Sequence, residues 1–163
     1  MRRKRSIGAA AVAVTALLVG VVTMTMASAP SFVTPTLLAR GTYDAFKVAS
    51  QRGPAMYKAE AKAPIDVVVR RHDYLAGGST GWHAHPYPVY VTVIQGELTF
   101  VEYDDPTCTP VVVAVGEGYV DSGHGHIARN LTGQPAADMS VIMAPVGAMI
   151  RTELDAPGPF CDF

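Results

Sequence analysis

The sequence predicts an all-β sandwich or barrel. Three observations carry this expectation. After Ala39 the chain consists of short segments rich in Val, Ile, Tyr, Thr and Phe, cut by Gly, Pro and Asp. Turn signals recur about every eight to twelve residues, the spacing of a sandwich or barrel of short strands. No long stretch beyond Ala39 keeps helical periodicity, although Leu37 to Val48 has room for a short helical turn. A chain of 163 residues suits one domain with a sizeable core.

The elements follow in order. Ser31 to Leu38 reads as a short linker. Ile65 to Leu75 is strand-like, and "AGGSTG" (Ala76 to Gly81) is a turn or loop. Val89 to Tyr103 reads as two strands meeting near Gln95 and Gly96. Asp104 to Pro110 is a loop. Val111 to Val115, Gly118 to Val120, His126 to Asn130 and Asp138 to Val146 are further strands. There is no internal repeat. The domain plan is a segment over 1–29, a linker over 30–39 and a β-barrel over 40–163.

The first segment differs from the rest. Arg2, Arg3, Lys4 and Arg5 form a basic start, and no charge follows until Arg40. An apolar run from Ile7 to Val22 leads to Ala27-Ser28-Ala29. This order reads as a secretory signal peptide. Pro30 hinders cleavage after Ala29, so a cut after Ala27 is the alternative. Ile7 to Ala29 could also nearly span a bilayer, so a retained N-terminal anchor is the competing reading. Either one places the domain outside the cytoplasm, secreted or held at a membrane by this segment alone.

Charge narrows the partners. Four of the 13 Lys and Arg lie in the first segment, and none of the 14 Asp and Glu do. The remainder carries a net charge of −5 with neutral His. Such a surface argues against nucleic acid. The two cysteines, Cys108 and Cys161, read as a disulfide in an exported protein. It would close a loop of more than fifty residues, which chain entropy values at roughly 4 kcal/mol.

All five histidines lie between His72 and His126. Residues two apart in a strand share a face, so His83 and His85 would aim their imidazoles the same way. His124 and His126 repeat that spacing. Pro86 and Pro88 exclude a long helix, and with it the four-residue spacing of helical zinc sites. Imidazole suits iron, zinc, copper and nickel. One His-x-His is a weak signal; two, set among glycines and strands, are a better one.

The spacing of these residues resembles the cupin superfamily. Its first motif, G-x5-H-x-H-x3,4-E-x6-G, is matched by Gly77, His83, His85 and Gly96, with Val89 where the glutamate belongs. Its second, G-x5-P-x-G-x2-H-x3-N, is matched by Gly123, His126 and Asn130. There Asp121 stands for the proline and the leading glycine is displaced to Gly116. The resemblance covers roughly Asp66 to Ala144, and small single-domain bacterial cupins are the nearest in kind. It implies a double-stranded β-helix, the jelly-roll barrel. It implies that His83, His85 and His126 hold one divalent metal ion (Fe, Mn, Zn, Cu or Ni) inside the barrel. It makes Asn130 a turn-fixing residue, and it admits a homodimer.

Val89 is the departure that matters. Its parity along the strand matches His83, His85 and Tyr87, so it should face inward. Valine cannot coordinate. Three neutral imidazoles leave the ion its full double charge, which favours anionic or bidentate oxygen ligands. Tyr87, Val89 and His124 are the candidate substrate-pocket residues. Tyr87 is a candidate hydrogen-bond donor to a ligand, and His124 a candidate extra ligand or neighbour. Val91, Val93, Val141 and Met143 are candidate walls. Asp121 reads as a turn cap, Trp82 as packing, and His72, Glu97 and Glu102 as strand surface.

Two functions remain open. The first is an exported metal-dependent oxygenase, or a related lyase or isomerase, acting on a small oxygen-rich molecule. The second is a non-catalytic cupin that binds a small ligand or serves as a scaffold. No catalytic acid or base can be assigned from sequence, and fold alone does not give function.

Overall fold

The computed structural model describes residues 28–158 and 161. The segment expected to be a signal or anchor over 1–29 lies outside them, except for Ser28 and Ala29. The described chain is all-β. Its strands are β1 (Ser31–Tyr43), β2 (Phe46–Arg52), β3 (Ala55–Ala61), β4 (Ile65–Ser79), β5 (His83–Ala84) and β6 (Val89–Gln95). They continue as β7 (Glu97–Glu102), β8 (Val111–Ala114), β9 (Gly118–Asp121), β10 (His126–Arg129), β11 (Ala136–Pro145) and β12 (Thr152–Glu153).

Strand β4 is the spine. It pairs antiparallel with β1 and with β11 along most of its length. β11 pairs onward with β6, and β6 with β9. On the other side β10 pairs with β5 and β7, β7 with β8, and β5 with β12. One pairing, Arg129 with Ser79, joins β10 to the end of β4. The sheet thus curls back on itself into a nearly closed barrel.

Alternation decides which side chains enter the barrel. In β6, Val89, Val91 and Val93 are buried while Tyr90, Thr92 and Ile94 are exposed. In β11 the buried set includes Asp138, Ser140, Ile142 and Ala144. A period of two produces both patterns. The main core joins Val68, Tyr74, Val89, Val93, Leu98, Phe100, Tyr119 and Ile142. Full burial of a side chain such as Leu98 or Phe100 contributes roughly 1.5–3 kcal/mol. A smaller cluster of Trp82, Val101, Ile127 and Cys161 packs under the C-terminal tail. The Cys108–Cys161 disulfide expected from sequence is formed, with a sequence separation of 53. Trp82 is packed as expected.

The linker over 30–39 requires correction. Ser31 to Tyr43 is a strand, in register with β4 from Ser31↔Ser79 to Tyr43↔Ile65. Its side chains are almost all exposed, so no apolar alternation marks it in the sequence. Pro35 is tolerated because β1 pairs on one side only. Asp66 ties this strand down. It accepts hydrogen bonds from Arg40 Nε (3.0 Å), Thr42 Oγ1 (2.7 Å) and the Gly147 amide (2.9 Å). The short helical turn allowed for 37–48 is likewise strand. The turn expected at Ala76 to Gly81 begins later, because β4 runs on to Ser79. A separate hairpin, β2 with β3, turns at Gly53.

Candidate metal centre

His83 and His126 face each other directly across the β5–β10 pairing. His85 follows one residue beyond β5. The three rings gather with centroid separations of 4.4 to 5.5 Å. One ring nitrogen from each lies within 4.8 Å of the others. Among the described residues this is the group that could hold a metal ion.

Backbone geometry places these rings. Gly81 has φ +67°, and a Cβ there would lie 1.8 Å from the Ser28 carbonyl oxygen. Only glycine fits, and its own carbonyl then turns to His83. Gly125, at φ +115°, comes just before His126; a Cβ there would meet the Leu154 side chain at 2.7 Å. That vacancy lets the tail lie against β10.

Each imidazole is oriented from behind. His83 Nδ1 donates to the Gly81 carbonyl at 2.9 Å, and His85 Nδ1 to the Ile150 carbonyl at 2.6 Å. A carbonyl only accepts, so both Nδ1 atoms carry the proton and both Nε2 atoms keep a lone pair. His126 Nδ1 faces Asp121 Oδ1 at 3.3 Å, without an aligned hydrogen bond. A carboxylate behind a ligating histidine is a common way of orienting the ring and raising its basicity.

Protonation states suit a cation. Burial, reinforced by the neighbouring His126 and Arg151, pushes His83 far below the usual imidazole range. Burial pushes His85 down to about 4. Both are neutral at physiological pH. Burial alone would raise the Asp121 carboxyl, but contact with His126 and the Gly123 amide outweighs it and holds the group low. The donor set therefore fits a divalent ion that accepts imidazole. An ion bonded at about 2.1 Å holds its nitrogens about 3.0–3.4 Å apart at octahedral or tetrahedral angles, so the three rings would draw together on binding.

The rings open into a narrow cavity. Val89 lines it and is 1% exposed, so the inward parity expected for it holds. Val91 is a wall as expected. Val93 lies in the core instead, and Val141 and Met143 belong to the opposite face of β11, whose cavity wall is Ile142. Tyr87 is placed elsewhere: it is 41% exposed and lines an outer cleft with Phe46, Ile65, Pro88 and Met143. Pro86 and Pro88 interrupt the alternation on which its parity rested. His124 stands at the surface and pairs with Asp104 at 2.9 Å, because its position is a turn and not strand. Asn130 fixes a turn as expected, donating to the Leu75 and Gln134 carbonyls and accepting from Thr132. Asp121 caps its turn by accepting from the Gly123 amide, and backs His126 as well.

The opposite wall was not foreseen. Arg70, His72 and Tyr74 of β4 and Asp138 and Ser140 of β11 all line the cavity. Asp138 is 1% exposed and accepts from Tyr74 Oη (2.7 Å) and Ser140 Oγ (2.9 Å), with His72 Nδ1 at 2.9 Å. His72 is therefore not strand surface. It is held against a buried carboxylate because register sets it directly opposite Asp138. Glu102 also differs from expectation: it is half-buried opposite His126 and accepts from Tyr119 Oη. Burial pushes its carboxyl up. The signal for this wall was present in β4, where Arg70 and His72 share the parity of Val68 and Tyr74.

No family model matches the chain, and no curated protein matches it. Solved structures do. The cupin_2 domain of an XRE-family transcriptional regulator from Enterobacter cloacae is 20% identical, over 46% of this chain and 78% of that one, with a TM-score of 0.39. Recombinant oxalate oxidase in complex with glycolate is 25% identical, with a TM-score of 0.40. That match covers 49% of this chain and only 46% of the oxidase chain. A conserved Klebsiella pneumoniae protein with a double-stranded β-helix domain is 19% identical, over 69% of this chain and 85% of that one, with a TM-score of 0.46. The solved structures that this all-β, nearly closed barrel resembles thus include a cupin_2 domain and a double-stranded β-helix protein.

Proposed function

We propose that the chain is a small cupin that binds one divalent metal ion through His83, His85 and His126 and acts on a small molecule in the adjoining cavity. One observation carries the reading: three convergent imidazoles, two with the proton fixed on Nδ1 by a carbonyl and the third backed by Asp121. Once bound, the ion would supply Lewis-acid or redox chemistry to oxygen ligands. The chain's own residues do the rest. Val89 and Val91 keep one wall apolar and limit water, and Val89 supplies no anionic ligand. His72, oriented by Asp138, is the group able to take or give a proton in the cavity.

This favours an enzyme, an oxygenase or a related lyase or isomerase, over a ligand-binding or scaffold module. A scaffold needs no oriented histidine facing its cavity. Export is part of the proposal. The basic start and long uncharged stretch of the N-terminal segment and the Cys108–Cys161 disulfide support it, since disulfides persist in oxidising compartments.

Elemental analysis tests the metal. Protein reconstituted with iron, manganese, zinc, copper or nickel in turn is expected to hold about one equivalent of at least one of them. His83→Ala and His126→Ala are expected to abolish it. Less than about a tenth of an equivalent with every ion would overturn the reading. Oxygen uptake with small phenols, diketones and thiols then separates oxygenase from the other chemistries.

A further inference from the structure

Arg70 stands apart from the other described arginines that lie near carboxylates. Arg40 pairs with Asp66, Arg71 with Asp73 and Arg151 with Glu153. No described carboxylate pairs with Arg70. Its Nε is buried without a hydrogen-bond partner, although its side chain lines the histidine cavity. A buried donor left unmatched costs free energy unless something supplies the acceptor.

The cavity cannot supply one from its own walls. Asp138 is the single carboxylate that lines it among the described residues, and three neighbours already engage that group. Arg151 lines the same cavity, with one Nη2 bond to the Thr80 carbonyl at 2.6 Å, but its charge is already matched by Glu153. The position that would have brought a carboxylate beside the histidines is Val89. Arg70 is therefore the cavity's guanidinium without a carboxylate partner among the described residues, and a cation on the histidines would add positive charge beside it. The guanidinium fork matches the two oxygens of a carboxylate. The space bounded by Val91, Phe100 and Ile142 is narrow, which restricts a ligand to a small molecule.

We infer that Arg70 is the anchor of an anion subsite, and that the ligand of this cavity is a small carboxylate. The inference rests on the cavity being the ligand site proposed above, but not on which metal it holds. Arg70 is a binding residue here: it grips the carboxylate and fixes the end of the molecule remote from the histidines.

Calorimetric titration tests it, on metal-free and metal-reconstituted protein, with propionate, malonate and succinate against the matching neutral amides. At least one acid is expected to bind with at least about tenfold higher affinity than its amide. Arg70→Gln is expected to remove that preference while the metal content stays unchanged; Arg70→Lys, a charge without the fork, is expected to keep part of it. The acid–amide comparison in the wild-type protein needs no variant and stands even if Arg70→Gln fails to fold. Equal affinity for acid and amide, or an undiminished preference in Arg70→Gln, overturns the inference. Metal uptake without any acid binding overturns it too and leaves the metal reading intact. Arg70-dependent acid binding in a protein that takes up no metal overturns the metal reading and upholds the subsite.

Discussion

The two walls of the cavity are built by different rules. The histidine wall comes from β5, β10 and the residue after β5, where His83, His85 and His126 sit among glycines that bend the backbone around them. The facing wall comes from two long, regular strands, where cross-strand register sets His72 opposite Asp138 and Arg70 opposite Ser140. One wall holds two neutral imidazoles oriented by carbonyls and a third backed by Asp121. The other is a satisfied polar network with one unmatched guanidinium. The difference teaches that a site's metal half can be read from spacing within two short stretches, each carrying its histidines, while its ligand half is written only in pairing.

Changes that strike one wall and spare the other test this contrast. The largest effect is expected from acid on the metal-free protein. His85 is lowered to about 4, and His83 further, by burial. Stability should be complete above the unfolded histidine value of about 6.5 and fall as pH drops from there through about 4, because the unfolded chain binds protons that the folded one refuses. His85 alone accounts for roughly 3 kcal/mol at 1.36 kcal/mol per unit. Urea melts at stepped pH would show it, and a flat profile from pH 7 to 4 would contradict the histidine wall described here.

Breaking the other wall comes next. Asp138→Ala leaves His72, Tyr74 and Ser140 without their shared acceptor. The expected loss is roughly 2–3 kcal/mol in urea unfolding, with metal stoichiometry unchanged. Loss of metal together with stability would mean that the walls are one coupled unit. Asp121→Asn should act on the histidine wall alone, weakening metal affinity about ten- to a hundredfold in competition with a chelator, at little cost in fold. The smallest effect belongs to His124→Ala, a surface change expected to stay within about 0.5 kcal/mol and to leave metal content untouched.

Much of this was legible beforehand. The strands from Ile65 onward, the meeting of β6 and β7 near Gly96, the disulfide and the clustering of His83, His85 and His126 all follow from periodicity and spacing. Strand β1 was hidden because an exposed edge strand needs no apolar alternation. Tyr87 misled because parity fails where Pro86 and Pro88 break the pleat. Glu102 and His72 were misjudged for a common reason: a polar residue in a strand looks solvent-facing until its neighbour across the sheet is known.

By itself, the sequence determined the all-β class, the disulfide and the three candidate histidines. Residue type, strand periodicity and the spacing within each His-containing stretch carry these. Only the tertiary structure decided that Asp121 backs His126, that Asp138 gathers His72, Tyr74 and Ser140, and that Arg70 faces the cavity with no carboxylate of its own. Those contacts join residues as far apart in sequence as His72 and Asp138, and strand register across the barrel, which no local interval encodes, is what brings them together.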